Sequence, residues 1–68
     1  MATLGQRMKE IRKEKLKISQ VEIAKKLNIN QVTYQGYETD KHKPDIETLA
    51  KIADIMQTSM DYLMGRYK

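Results

Sequence analysis

The chain contains no cysteine, so neither a disulfide framework nor a thiolate metal site can support its core. It has no apolar run near the roughly 20 residues that a membrane span requires, and its N-terminus lacks the apolar core of a signal peptide. These absences predict a soluble, cytoplasmic protein with no membrane partner. The 68 residues suffice for one small domain, residues 1–68, which buries only about 60% of its unfolded surface.

The sequence also has few of the groups that an active site needs. Its one histidine, His42, has no evident acidic partner, and no glycine-rich loop is present to hold a phosphate group. A bundle of this size leaves little room for a pocket of roughly 300–1,000 Å³, the usual size of a ligand site. We therefore expect a protein that is not an enzyme, with no catalytic residue, cofactor, metal or small-molecule substrate.

Positive charge is in excess. Thirteen Lys and Arg residues against nine Asp and Glu residues give a formal charge of +4, which favours a polyanionic partner. The densest positive run lies on the outer face of the first predicted helix and comprises Arg7, Lys9, Lys13 and Lys15. This run either contacts phosphate groups or simply keeps the face soluble.

The spacing of apolar residues predicts an all-α fold. Leu4, Met8 and Ile11 follow each other at i, i+4 and i+7, so a first helix is expected from about Thr3 to about Lys15. Alternation with a period of two, which would indicate strands, is absent throughout the sequence. The stability of the domain must therefore come from the packing of helices.

Two short helices joined by a tight turn come next. Ser19 and Glu22 form a capping-box pattern that begins the second helix, and Asn28 is suited to the left-handed conformation that ends it. Asn30 is a good N-cap for a third helix over residues 31–38.

The third helix has an unusually polar outer face. At about 100° per residue, this face carries Gln31, Val32, Gln35 and Gly36. The opposite face carries Thr33, Tyr34 and Tyr37. The two tyrosines are the expected core anchors. Neither burial nor solubility alone would select such an outer face, which indicates a binding surface.

Two more helices are predicted after a loop at residues 39–44. Asp45 is the expected N-cap of the fourth helix and Ser59 that of the fifth. The core stripe of the fourth helix comprises Ile46, Leu49, Ala50, Ala53 and Met56, widened by Ile52 and Ile55. The fifth helix is expected to pack through Met60, Leu63 and Met64.

Together these segments resemble the Cro/C1-type (XRE-like) helix-turn-helix repressors over nearly the whole chain. The motifs that carry the resemblance are Ser19-Gln20, Ile23-Ala24, Leu27-Asn28-Ile29, Tyr37-Glu38, Pro44-Asp45 and the closing run Ser59-Met60-Asp61-Tyr62-Leu63-Met64-Gly65. The resemblance implies a compact five-helix bundle, a lambda-repressor-like DNA-binding domain whose third helix is the recognition helix. Members of this family usually act as dimers on operator DNA.

The resemblance and the charge of the loop assign residues to the expected DNA interface. Base contacts are expected from Gln31, Val32 and Gln35. Phosphate contacts are expected from Ser19, Gln20, Asn30, Thr33, Tyr37, Lys41 and Lys43. His42 is either a further phosphate contact or an exposed loop residue. Arg12 and Glu38 match a buried ion pair that, in many relatives, ties the first helix to the end of the recognition helix.

Three features depart from the family pattern. The segment between Arg12 and Ser19 is about one residue longer than usual, with Lys17 where relatives often carry glycine. Asp40 replaces the usual glycine after the third helix, and aspartate tolerates the left-handed conformation. Gly36 stands where relatives usually place a long polar side chain. Either the backbone approaches DNA closely at that point, or fewer bases are read.

The side chains expected to contact bases suit a half-site that contains A·T pairs. A glutamine amide matches adenine N6 and N7 in the major groove, and the methyl groups of Val32 suit the thymine methyl group. Gln31 and Gln35 lie one turn apart, so they are expected to read neighbouring base pairs. The alternatives are that the glutamines form a solvated face and that Val32 is a tolerated surface residue.

We expect a sequence-specific transcriptional regulator that binds double-stranded operator DNA as a homodimer, in the manner of a phage, plasmid or restriction-control repressor. The expected dimer surface comprises Ile55, Met60, Met64 and Tyr67. The alternative is a protein-interaction module, such as an antitoxin that neutralises a partner protein and binds DNA secondarily. The apolar excess on the fourth and fifth helices motivates that alternative.

Overall fold

The computed structural model describes residues 2–66, which form five α-helices and no strand. The helices are α1 (Leu4–Glu10), α2 (Gln20–Leu27), α3 (Gln31–Glu38), α4 (Ile46–Met56) and α5 (Met60–Leu63). The prediction of an all-α, five-helix fold is therefore confirmed. Across the described residues, no helix combines the length and the apolar character that crossing a membrane would require.

Every helix begins after a polar residue whose side chain caps it. These side chains accept hydrogen bonds from backbone N–H groups of the first turn, which would otherwise have no partner. The predicted caps are confirmed at Ser19, Asn30, Asp45 and Ser59. Thr3 caps α1 and forms a capping box with Gln6, which the sequence analysis above does not predict.

The first predicted helix is not a regular α-helix to its end. α1 stops at Glu10 and the chain continues as a π-helical segment, Ile11–Leu16, whose wider turns hold more residues. Lys17 then adopts the left-handed conformation, with φ 56°, and its N–H donates to the carbonyl of Arg12. This π-helical segment accommodates the extra length noted in the sequence before the second helix.

The core lies between the helices, and its fully buried large side chains are Met8, Ile23, Tyr34, Ile52, Met56 and Leu63. The predicted stripe on α4 needs one correction, because Ile46 is 78% exposed. Ile46 is the first residue of α4 and lies outside the packed part of the helix. Ile52, expected only to widen the stripe, is at the centre of the core. Met64, expected to pack α5 onto the core, is half exposed.

α1 and the C-terminal end of α3 approach each other closely at Gly5. Gly5 is buried, and a Cβ atom added there would lie 2.6 Å from the carbonyl oxygen of Tyr37 and closer still to that of Glu38. Both neighbours are backbone atoms, so a side chain at this position could not be relieved by a rotamer change. The contact places α1 directly against the end of α3.

Candidate nucleic-acid interface

The turn between α2 and α3 holds α3 firmly in place. Asn28 adopts the predicted left-handed conformation, with φ 59°, and the N–H of Ile29 bonds back to the last turn of α2 at 3.0 Å. Ile29 packs against the core, and the side chain of Asn30 accepts a hydrogen bond from Val32 N at 2.8 Å. Tyr34 is fully buried on the inner side of α3. One face of α3 is therefore anchored and the other is left to solvent.

The three residues expected to contact bases all lie exposed on α3. They are Gln31, Val32 and Gln35. Val32 is 73% exposed, so its methyl groups are open to a partner. Within residues 2–66, neither glutamine amide is engaged in a hydrogen bond, so both keep their donors and acceptors for a ligand. Amide groups and methyl groups are among those that can contact base edges in a major groove.

Gly36 does not form open surface on this face, contrary to the prediction. It is buried because the imidazole of His42 lies over it, and an added Cβ would lie 2.5 Å from His42 Cδ2. The backbone N–H groups of Lys41 and His42 both donate to the Gly36 carbonyl, at 2.9 and 3.2 Å. The loop after α3 therefore folds back onto the outer face of the helix, and the ring of His42 covers Gly36.

Most of the residues expected at phosphates lie at the ends of α2 and α3. Ser19 and Asn30 cap the two helices, and Lys41 and Lys43 are exposed in the loop after α3. Thr33 is exposed, not on the buried face of α3 where the helical spacing placed it. The core contacts a narrower stripe of α3 than the sequence suggested, which leaves Thr33 at the edge of the outer face.

Two other residues expected at phosphates have partners inside the protein. Gln20 Nε2 donates to Glu38 Oε1 at 2.9 Å, so its amide supports the end of α3. Tyr37 is half-buried, and its ring packs edge-to-face on Tyr34 with centroids 6.4 Å apart. Both residues position α3 in addition to any contact they make with a ligand.

Arg12 and Glu38 form the ion pair that the resemblance implies. Arg12 Nε and Nη2 donate to the Glu38 carboxylate at 2.6 and 3.2 Å, and Arg12 Nη1 donates to the carbonyl of Ile18 at 2.9 Å. Burial alone would raise the pKa of Glu38, but the hydrogen bonds from Arg12 and Gln20 lower that pKa below its ordinary value. Burial, together with the nearby carboxylate, raises the pKa of Tyr34 above its usual range.

Asp40 has a positioning role that sequence reasoning missed. It adopts the left-handed conformation expected of a residue in place of glycine, with φ 63°. Its carboxylate accepts hydrogen bonds from Thr3 Oγ1 at 2.6 Å and from Gly5 N at 3.0 Å. A negative charge there also complements the positive end of the α1 dipole. The partners are 35 or more residues away in sequence, so no local pattern could reveal them.

The basic run on the first helix is only partly available to a ligand. Arg7 Nη1 donates to the carbonyl of Tyr62 at 3.0 Å, and the Arg7 guanidinium lies 5.6 Å from the Tyr62 ring centroid. Lys15 Nζ donates to the backbone at the end of α4 at 2.8 Å. Lys9 and Lys13 are exposed. Arg7 and Lys15 therefore stabilise the bundle itself.

The residues expected at a dimer surface lie in different places. Ile55 and Met60 are half-buried and pack against the core, whereas Met64 is half exposed. Ile55 lines a groove with Leu16, and Met64 lies in a separate depression beside the start of α1. Tyr67 lies outside the described residues. The dimer surface therefore stays a prediction.

Known proteins share both the sequence pattern and the fold. A helix-turn-helix family model matches residues 8–63. The HTH-type transcriptional regulator ImmR of Bacillus subtilis is 42% identical over 64 residues, which cover 94% of this chain and 50% of ImmR. The immunity repressor protein of Bacillus phage phi105 is 35% identical over 63 residues, which cover 93% of this chain and 43% of the repressor. The chain thus spans about half the length of these curated relatives.

A solved structure matches the whole arrangement of helices. The P22 c2 repressor protein, crystallised in complex with a synthetic operator, superimposes with a TM-score of 0.90 at 30% sequence identity. The match covers 98% of this chain and 100% of that chain. The five-helix arrangement described above is therefore that of a repressor seen on its operator.

Proposed function

Because this chain belongs to the Cro/C1-type (XRE-like) helix-turn-helix family, we propose that it binds double-stranded operator DNA sequence-specifically and regulates transcription. The observation that carries the proposal is the exposed polar face of α3, held in place by the turn before it, the core beneath it and the Arg12–Glu38 pair at its end. The P22 c2 repressor, which shares the fold, was crystallised with an operator. The relatives are regulators and repressors by name, which supports this function over the antitoxin alternative.

In this proposal α3 enters the major groove and reads base edges. Each exposed glutamine amide offers a donor and an acceptor in one plane, which matches N6 and N7 of adenine. Val32 lies between them in sequence and presents methyl groups to a thymine methyl group. The half-site recognised by Gln31, Val32 and Gln35 therefore contains A·T pairs.

Phosphate contacts set the affinity and the register of α3 without reading sequence. Lys41 and Lys43 follow the end of α3 and supply positive charge there, while Ser19 and Asn30 lie at the starts of α2 and α3. The helix starts also present backbone N–H groups to an anion. The net charge of +4 favours association with the duplex over a longer range.

The protein acts in the cytoplasm as a non-enzymatic homodimer that represses transcription. Two copies of α3 then occupy successive major grooves about 34 Å apart, so that the operator is two-fold symmetric. Occupation of a promoter by such a dimer would exclude polymerase. The family and the repressor names among the relatives support this part of the proposal.

Selection of duplexes from a random pool at near-physiological salt tests the proposal. The wild-type protein is expected to enrich a two-fold symmetric motif with half-sites about one helical turn apart. Gln31→Ala and Gln35→Ala should each relax the preference at one base pair, at a cost of roughly 1–3 kcal/mol. Gln57→Ala, an exposed glutamine outside α3, is the matched control and should leave the motif unchanged. Retention of DNA without an enriched motif would contradict sequence-specific binding.

Salt dependence separates the phosphate contacts from the base contacts. Lys41→Ala should weaken binding to all sequences alike and reduce the slope of log K against log salt by about 1. Lys51→Ala removes an exposed lysine from α4 and should leave the slope closer to that of the wild type. Equal slopes for the two variants would show that the loop after α3 does not lie at the DNA backbone.

A further inference from the structure

The ring of His42 occupies the place where the outer face of α3 lacks a side chain. Residue 36 is glycine, and the position that its Cβ would take lies 2.5 Å from His42 Cδ2 and 3.5 Å from His42 Nε2. A Cβ atom and a ring carbon cannot approach so closely, so the imidazole and a side chain at position 36 exclude each other. The ring of His42 therefore fills the space that a side chain at position 36 of α3 would occupy.

Hydrogen bonds of the loop hold residue 42 next to α3. The N–H groups of Lys41 and His42 converge on the carbonyl oxygen of Gly36, and the hydroxyl of Thr39 donates to the same oxygen at 3.3 Å. Asp40 takes the left-handed conformation that turns the chain back, and its carboxylate is fixed to α1. The loop is therefore a defined turn, and it places His42 on α3.

His42 shares one surface with two of the residues assigned to base contact. A shallow pocket on the outer face is lined by Val32, Gln35, Gly36, Thr39, Lys41 and His42. His42 is exposed, and its ring nitrogens make no hydrogen bond to the described part of the chain, residues 2–66. A histidine placed in this way has free polar atoms on the face that points to the major groove.

We propose that His42 reads a base pair next to the one read by Gln35, in place of the side chain that α3 lacks at position 36. The proposal rests on the proposed function, because it requires that the outer face of α3 enter the major groove. An imidazole N–H donates to an acceptor, and N7 of a purine is an acceptor in the major groove for both guanine and adenine. His42 is thus a specificity-determining residue that prefers a purine at its position.

Two single variants remove this contact in different ways. His42→Ala deletes the ring, whereas Gly36→Ala keeps the histidine and displaces its ring with a methyl group. Each variant is expected to lose roughly three- to tenfold in affinity for the best wild-type site, the amount typical of one hydrogen bond. Each should also lose the preference at the same single base pair in a random-pool selection. The double variant should lose no more than either single variant, because both changes remove one contact.

Lys43→Ala is the control from the same loop. It should lower the affinity for all DNA sequences alike, while the selected motif stays that of the wild type. Circular dichroism and thermal unfolding should show that every variant is folded. If His42→Ala keeps the wild-type motif, or lowers the affinity for all DNA sequences equally, His42 contacts at most a phosphate and does not read a base pair. If the two single losses add in the double variant, the ring does not act from its place over Gly36. If the wild type itself enriches no motif, the proposed function fails as well.

Discussion

Arg12 Nε lies 2.6 Å from a carboxylate oxygen of Glu38, and the two side chains are only 10% and 2% exposed. Charged groups buried to this extent are costly to desolvate, and they persist where they are paired and fully hydrogen-bonded. Here the second guanidinium bond and the amide of Gln20 complete the partners of the carboxylate. The pair joins the π-helical segment after α1 to the last residue of α3, so it helps to fix the orientation of the outer face of α3.

Breaking this pair from one side should destabilise the fold severely. Arg12→Ala leaves the Glu38 carboxylate buried without its cation, and a loss of roughly 3–5 kcal/mol is expected in urea denaturation. That is a large share of the total stability of a small domain. The double replacement Arg12→Met with Glu38→Leu removes both charges and should recover most of the loss. A double variant as unstable as Arg12→Ala would show that the pair contributes net stability beyond fixing geometry.

Acid should destabilise the fold partly through Glu38. Its pKa is lower in the folded protein than the ordinary 4.5, so the native state binds this proton less readily than the unfolded chain does. The stability contributed by the carboxylate is present above the ordinary value and is lost as pH falls through the lower folded value. Unfolding free energies measured from about pH 7 down to about pH 2.5 should therefore fall less steeply in Glu38→Gln.

Asp45→Asn is the comparison for the acid dependence. The hydrogen bond from Thr48 lowers the pKa of Asp45 too, but this carboxylate is exposed and only caps α4. Asp45→Asn should keep the part of the acid dependence that comes from Glu38. If the unfolding free energy of Glu38→Gln falls with decreasing pH as steeply as that of the wild type, Glu38 does not contribute to the acid dependence.

The same substitution at two glycines should have opposite consequences. Gly5→Ala drives a methyl group into the backbone carbonyls at the end of α3, so it should cost about 1–3 kcal/mol of stability and displace α3. Gly36→Ala meets only the ring of His42, which can rotate away. Because alanine favours the helix by about 0.5–1 kcal/mol over glycine, Gly36→Ala should be neutral or stabilising. Thermal unfolding compares the stability of the two variants. Equal losses of stability in Gly5→Ala and Gly36→Ala would contradict the packing described at Gly5.

Lys17 offers a stabilising substitution. A lysine in the left-handed conformation is strained by its Cβ, so Lys17→Gly should stabilise the fold by roughly 1 kcal/mol. Lys13→Gly is the matched control, because Lys13 is an exposed lysine inside the preceding helical segment. The unfolding free energy of Lys13→Gly should be about 1 kcal/mol lower than that of the wild type, because glycine has a low helix propensity. Chemical denaturation of the two variants compares them directly, and a destabilised Lys17→Gly would count against strain at that residue.

The parts of the fold that depend on neighbouring residues could be predicted from the sequence. The caps at Ser19, Asn30, Asp45 and Ser59 act within one turn, and all of them are present. The left-handed conformations of Asn28 and Asp40 follow from the short side chains that tolerate them. The apolar spacing likewise located the helices and most of the core.

Features that depend on distant contacts could not be predicted. Ile46 fits the apolar stripe of α4, but nothing in the spacing shows that the core begins only after it. Gly36 looked like open surface because the return of His42 onto α3 is a property of the loop in three dimensions. The π-helical segment before Lys17 changes the register of a helix whose apolar spacing is compatible with a regular one.

The end of α3 is joined to α1 by the backbone contact at Gly5 and by the carboxylate of Asp40, and to the π-helical segment after α1 by the Arg12–Glu38 pair. The face of α3 that we propose to bind DNA is therefore expected to act as a rigid surface. When a rigid surface meets a duplex, the bending and the change in groove width fall on the nucleic acid, and their energy depends on base-pair stacking. Operators that differ only at base pairs the protein never touches should thus differ in affinity, with the more easily deformed duplex bound more tightly.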